Sequence, residues 1–357
     1  MIRLNRTIAF LMLFAAGVPA AAQTQSDRLA QVLAEADLSG SVIVTKSGST
    51  VHSAGYGMAN RELGVPNTPQ TKFRIGSITK QFTAMGILIL QDRDKLDVHD
   101  PVGKHVKDVP ESWRSLTIHQ LLTHTSGIMH SWALPDFAAT MAMPTTLDET
   151  LERFFDQPLV FEPGTDFAYS GVGYFLLAKV IEVVSGQPYS EFLKSEIFEP
   201  LAMHDTGADR HEVLLPQRAS GYVRREDGTV RNAPHIFMPI LTGGGNLYST
   251  VVDMARWNRA LAKHALVPDQ AYTAMYRPER EGYAYGWRVR LFHGRELLVH
   301  SGRVPGFKAI NFRIPEEEID VVILTNITPG EPREVAKALA EVMLNDSDGE
   351  PESQVPK

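Results

Sequence analysis

Two blocks of strand-forming sequence sit at opposite ends of this chain, and neither is large enough to fold by itself. Near the start, Gly40–Lys46 and Thr50–Tyr56 alternate in character around Ser47-Gly48-Ser49, the small-residue punctuation of a hairpin. Far downstream, Tyr283–Phe292, Glu296–His300, Phe307–Ile314 and Ile319–Thr325 have the same strand character. An isolated hairpin is marginal in water. The economical solution joins both blocks in one antiparallel sheet, with a short amphipathic helix at 23–36 and a last helix at Arg333–Leu344 covering a face.

This predicts an α/β (α+β) fold, an antiparallel sheet flanked by helices, built from residues 23–96 plus 240–345. Residues 97–239 then form an inserted, mostly helical lobe. Its helical patterns are Ile118–Leu122, Leu147–Phe155, Gly173–Val184 and Ser190–Ile197, separated by Pro- and Gly-rich connections. After Gly243-Gly244-Gly245, Thr250 with Asp253 three residues on reads as a capping box opening another helix. A cleft between sheet and lobe is the expected ligand site. The polar stretch 346–357 is expected to be a disordered tail.

Composition narrows the function. The chain has no cysteine, which removes disulfides, thiolate metal sites and a thiol nucleophile. Its 35 basic and 42 acidic residues are spread along the sequence and give a net charge of −7, so nucleic acid is not an expected partner. At the N-terminus, Arg3 and Arg6 precede an apolar stretch from Ile8 to Val18 and the small residues Ala20-Ala21-Ala22. Residues 1–22 therefore read as a signal peptide cleaved after Ala22, with export to the periplasm or medium. The apolar run is too short for a membrane span.

The chemistry concentrates at the start of a dense apolar run, Ser77 to Leu90. Ser77 and Lys80 are three residues apart, so on a helix their side chains share a face. An ammonium among Phe82, Met85 and Leu88 costs several kcal/mol unless it is paired or loses its proton, and so is expected to have a lowered pKa. Such an amine takes a proton from a neighbouring hydroxyl. The helix N-terminus favours the alkoxide that forms.

Three ordered segments surround this pair: Arg74-Ile75-Gly76-Ser77-Ile78-Thr79-Lys80, then Glu162-Pro163-Gly164 leading to Tyr169-Ser170-Gly171, then His300-Ser301-Gly302-Arg303. With Leu121-Leu122-Thr123-His124-Thr125-Ser126-Gly127 and Gly243-Gly244-Gly245, they closely resemble the penicillin-recognising serine hydrolases. The branch is that of class C β-lactamases, D-Ala-D-Ala carboxypeptidases and related esterases, and the likeness runs from about residue 28 to 345.

The resemblance implies a β-lactamase/transpeptidase-like fold and an acyl-enzyme on Ser77. It makes Lys80 and Tyr169 joint acid/base groups and the backbone N–H groups of Ser77 and Arg303 the oxyanion hole. Oxyanion donors of this kind contribute roughly 3–4 kcal/mol each. His300, Ser301, Gly302 and Gly171 would line the substrate site. The implied partner is a small-molecule or peptide substrate, with no cofactor or metal. Oligomeric state is not set by the sequence.

Two positions depart from the family pattern. Lactamase and peptidase members carry Tyr-x-Asn, and here Gly171 replaces the Asn that contacts a substrate amide. The third motif is often Lys-Thr-Gly, and here His300 replaces a permanent charge with a group titrating near pH 6.5. A small ester or amide, or a D-amino-acid peptide, is thus the expected substrate. The alternatives are a true class C-type β-lactamase and a non-catalytic cell-wall ligand-binding module.

Other candidates have ordinary readings. His124 is expected to be a structural hydrogen-bonding residue, and Gly243–Gly245 a turn at the edge of the cleft. His211-Glu212 lacks a second His at zinc-helix spacing.

Overall fold

The computed structural model describes residues 24–347. The leader expected at 1–22 lies outside the described residues. So does the expected tail, except for residues 346 and 347, which prolong the last helix.

The chain enters through helix α1 (Gln25–Glu35), capped by Thr24 and Asp27, and a hairpin of β1 (Gly40–Lys46) and β2 (Ser49–Tyr56). Helix α2 follows at Thr79–Asp92, α3 at Gly171–Ser185 and α4 at Val251–Ala262. The chain then forms β3 (Arg288–Phe292), β4 (Arg295–Val304), β5 (Phe307–Ile314) and β6 (Ile319–Thr325), and closes with α5 (Pro332–Ser347).

The two ends share one 6-stranded sheet in the order β3-β4-β5-β6-β1-β2. Its central seam pairs Gly40 with Thr325 and Lys46 with Ile319, antiparallel. Side chains alternate across that seam as a pleat requires. Val42, Val44, Val321 and Ile323 turn to one face, where Leu29, Leu33, Leu339 and Met343 of α1 and α5 cover them. Ile43, Val322 and Leu324 turn to the other, larger core, which also holds Phe82 of α2 and Trp257 of α4.

On that second face Asn311 of β5 exchanges hydrogen bonds with Asn258 of α4 and donates to Gln81 of α2 at 3.2 Å. Gln81 also accepts from Trp257 Nε1 at 3.0 Å. A hydrogen-bonded polar junction in an apolar layer favours one orientation of the helix. Here it sets the rotation of α2, and with it the side chain of Lys80.

Two expectations need correction. Tyr283–Trp287 is not strand, because the chain folds back at Gly286 (φ 75) against the Lys80–Gln81 backbone, where a Cβ would stand 2.8 Å from the Lys80 carbonyl oxygen. Thr250 accepts from the Asp253 amide, but the Asp253 carboxylate is drawn away to the Asp205 amide and the Thr206 hydroxyl, so the box is only half made. The mostly helical middle segment also contributes short strands. Tyr222–Arg224 pairs in parallel with Ile327–Thr328, and Gly207–Ala208 pairs with Leu247–Ser249.

Candidate active site

Ser77 sits on a 3-10 turn, Gly76–Ile78, that runs directly into α2. Gly76 has φ 51, and a Cβ there would stand 2.6 Å from the backbone nitrogen of Arg303. Gly302 is tighter still: an added Cβ would collide with the Ile75 carbonyl oxygen and lie 3.2 Å from the Ser77 nitrogen. Two glycines thus let β4 press against the Ser77 turn, which brings the amides of Ser77 and Arg303 close together.

Lys80 is 1% exposed on the first turn of α2. Its ammonium donates to the Gly244 carbonyl at 2.6 Å and to Ser77 Oγ at 3.3 Å. The Tyr169 and Tyr174 rings flank it, with centroids 5.0 and 5.2 Å from Nζ. Ring faces and carbonyl oxygens are favourable company for a buried cation. The Gly243-Gly244-Gly245 turn does more than edge the cleft, since its carbonyls hold both Lys80 and, at 2.7 Å, the Thr83 hydroxyl.

Tyr169 is placed by His124. The His124 carbonyl accepts from the Ala168 amide at 3.0 Å and its Nδ1 accepts from the Ser170 amide at 3.1 Å. The backbone on both sides of Tyr169 is therefore clamped to one residue. Nδ1 accepts, so the ring proton is on Nε2. Burial, followed by the Lys80 charge, pushes the imidazole pKa well below the usual value. The histidine is a neutral brace.

His300 differs from expectation. It is 3% exposed, its Nδ1 donates to the Ser301 carbonyl at 2.8 Å, and its Nε2 accepts from the Tyr283 hydroxyl at 3.0 Å. Burial first, then Lys80, lowers its pKa to about 3. Expected to titrate near pH 6.5, the ring instead carries no positive charge near neutral pH. Arg288 of β3 supplies one instead: its guanidinium lies 5.9 Å from the Tyr169 centroid and 5.3 Å from that of Tyr283. Nothing in the sequence marks this arginine, because its importance comes from the neighbours the fold gives it.

Ser77, Lys80, Tyr169, Gly171, His300, Ser301, Gly302 and Arg303 all line one cleft of about 740 Å³. Lys80, Arg288 and Arg303 are its charged members, and among the described residues no carboxylate side chain lines it. A hydroxyl beside an amine, with two neighbouring backbone amides, is an arrangement suited to acyl transfer to a serine. The pattern of the beta-lactamase family matches residues 27–343.

The chain belongs to the beta-lactamase family.

Relatives in this family span several named activities. A Bacillus subtilis protein described as penicillin-binding, PbpX, is 29% identical over 85% of this chain and 74% of its own. A D-aminopeptidase of Gluconobacter oxydans is 27% identical over 80% of this chain, and the match spans 55% of that enzyme. Among solved structures, the octameric penicillin-binding protein homologue of Pyrococcus abyssi is 31% identical with a TM-score of 0.79, covering 90% of this chain and 77% of that one. The beta-lactamase fold is thus matched across nearly all of the described residues. No helix among them is long and apolar enough to cross a membrane.

Proposed function

We propose that this protein is an exported serine hydrolase that forms an acyl-enzyme on Ser77 and acts on esters or amides bearing a carboxylate, D-amino-acid peptides foremost. The observation that carries the reading is Ser77 Oγ held 3.3 Å from Lys80 Nζ in a cleft lined, among the described residues, by cations and no carboxylate. Export rests on the N-terminal pattern of Arg3, Arg6 and Ala20-Ala21-Ala22.

In the first step Ser77 Oγ bonds to the substrate carbonyl carbon and its proton passes to the Lys80–Tyr169 pair, which acts as one unit. The amides of Ser77 and Arg303 receive the negative charge on the carbonyl oxygen. Collapse of this adduct breaks the bond to the leaving amine or alcohol, which takes the proton back. Water then attacks the Ser77 ester by the same exchange and frees the acid. No cofactor is needed.

Charge selects the substrate. A free ammonium would meet Lys80, Arg288 and Arg303 with no carboxylate to offset them, while a substrate carboxylate would gain from each. The name of the Gluconobacter relative points to substrates with a free amine; this cleft favours blocked, anionic ones.

The test is a panel of a carboxylate-bearing D-alanyl thioester, its methyl-capped counterpart and nitrocefin. The reading predicts fastest turnover of the first and slow turnover of nitrocefin. Equal rates on the charged and capped thioesters would contradict the charge argument, and brisk nitrocefin turnover would make the protein a true β-lactamase.

A further inference from the structure

Gly171 is the first residue of α3, at the wall of the cleft. A Cβ built there would lie 3.4 Å from Ser131 Oγ and 3.6 Å from the edge of the Phe175 ring. The space that a side chain at 171 would fill is therefore bounded by one hydroxyl and one aromatic ring.

Ser131 is 1% exposed, yet it lines the cleft. The partner of its hydroxyl is His130 Nδ1 at 3.5 Å, the outer limit of a hydrogen bond, and that nitrogen already accepts from the Trp132 amide at 3.1 Å. A hydroxyl on the cleft wall with so weak an acceptor has its hydrogen available to a group bound in the cleft. The neighbouring His130 adds no charge near neutral pH, since burial and then Lys80 hold its pKa at about 4.

We propose that Ser131 donates its hydroxyl hydrogen to an amide carbonyl oxygen on the acyl arm of the substrate, in the space that Gly171 leaves open. The arm's apolar part then lies against Phe175. Ser131 is thus a specificity residue for N-acylated aminoacyl substrates, and it does the work of a longer amide side chain at 171 from a different element. This rests on acylation at Ser77 and on a carboxylate held by the cleft's cations.

The experiment compares two thioesters with the same thioglycolate leaving group. One carries an N-benzoylglycyl acyl group and the other 4-phenylbutanoyl, in which methylenes replace the amide. The readout is the ratio of kcat/KM for the first over the second, which is insensitive to the fraction of folded enzyme. Wild-type protein is expected to favour the amide, Ser131→Ala to lower the ratio about tenfold, and Ser131→Thr to retain most of it. An unchanged ratio in Ser131→Ala overturns the proposal. Failure of the underlying reading looks different: wild-type protein would then show no Ser77 adduct with either thioester, and the proposal would fall with it.

Discussion

The Tyr283 hydroxyl donates to His300 Nε2 at 3.0 Å, and this bond settles the state of the histidine. With Nδ1 committed to the Ser301 carbonyl, a second proton on the ring would require the Tyr283 bond to reverse, and burial opposes the charge. KM for a carboxylate-bearing substrate is therefore expected not to follow His300 between about pH 5 and 8, because burial keeps that ring neutral over the range. A KM that rises several-fold through pH 6 to 7 would return His300 to the role of a titrating anion site.

Acid should weaken the fold through buried histidines. His300, His130 and His124 all have lowered pKa values, about 3 and about 4 for the first two, chiefly through burial. Below about pH 6.5 the unfolded chain takes up protons that the folded chain refuses. Their contribution to stability is complete above that pH and is lost as pH falls toward 4. Melting temperature is expected to drop steadily from pH 7 to 5, and an invariant Tm over that range would show that these rings are charged in the fold.

Substitution at Gly302 tests the close approach that creates the paired amides. A methyl group there would collide with the Ile75 carbonyl oxygen. Gly302→Ala should lose ester turnover by at least about 100-fold, the scale of one oxyanion donor. Retention of more than half the wild-type kcat/KM in the folded variant would contradict the geometry.

His124→Phe keeps ring volume and removes the acceptor for the Ser170 amide. Leaving that buried N–H unpaired should cost about 1–3 kcal/mol in urea unfolding. The substitution should also lower kcat by freeing the backbone around Tyr169. Wild-type stability and wild-type kcat together would show that His124 does not brace this segment.

Much of the fold was legible because its signal is local. Strands β1, β5 and β6 occupy the residues that alternation predicts, and α5 covers the sheet as expected. What escaped the sequence depends on distant neighbours. Nothing local shows that Gly286 must bend against α2, or that Asp253 has a better use than a cap. The same holds at the candidate site. Ser77, Lys80 and Tyr169 stand out as motif residues, whereas Arg288 and Ser131 gain meaning only from the cleft they line. His300 reads along the chain as a group titrating near pH 6.5, because the burial that lowers its pKa is invisible there.

The central claim is that Ser77 carries the acyl group, made reactive by Lys80 and Tyr169. Intact-mass analysis of wild-type, Ser77→Ala and Lys80→Met proteins treated with a fluorophosphonate tests it most directly. The expected result is one adduct on wild-type protein, localised to Ser77 by peptide mapping. It should be absent in Ser77→Ala and formed at least about 100-fold more slowly in Lys80→Met. An adduct on another residue, or labelling of Ser77→Ala at the wild-type rate, would contradict the account.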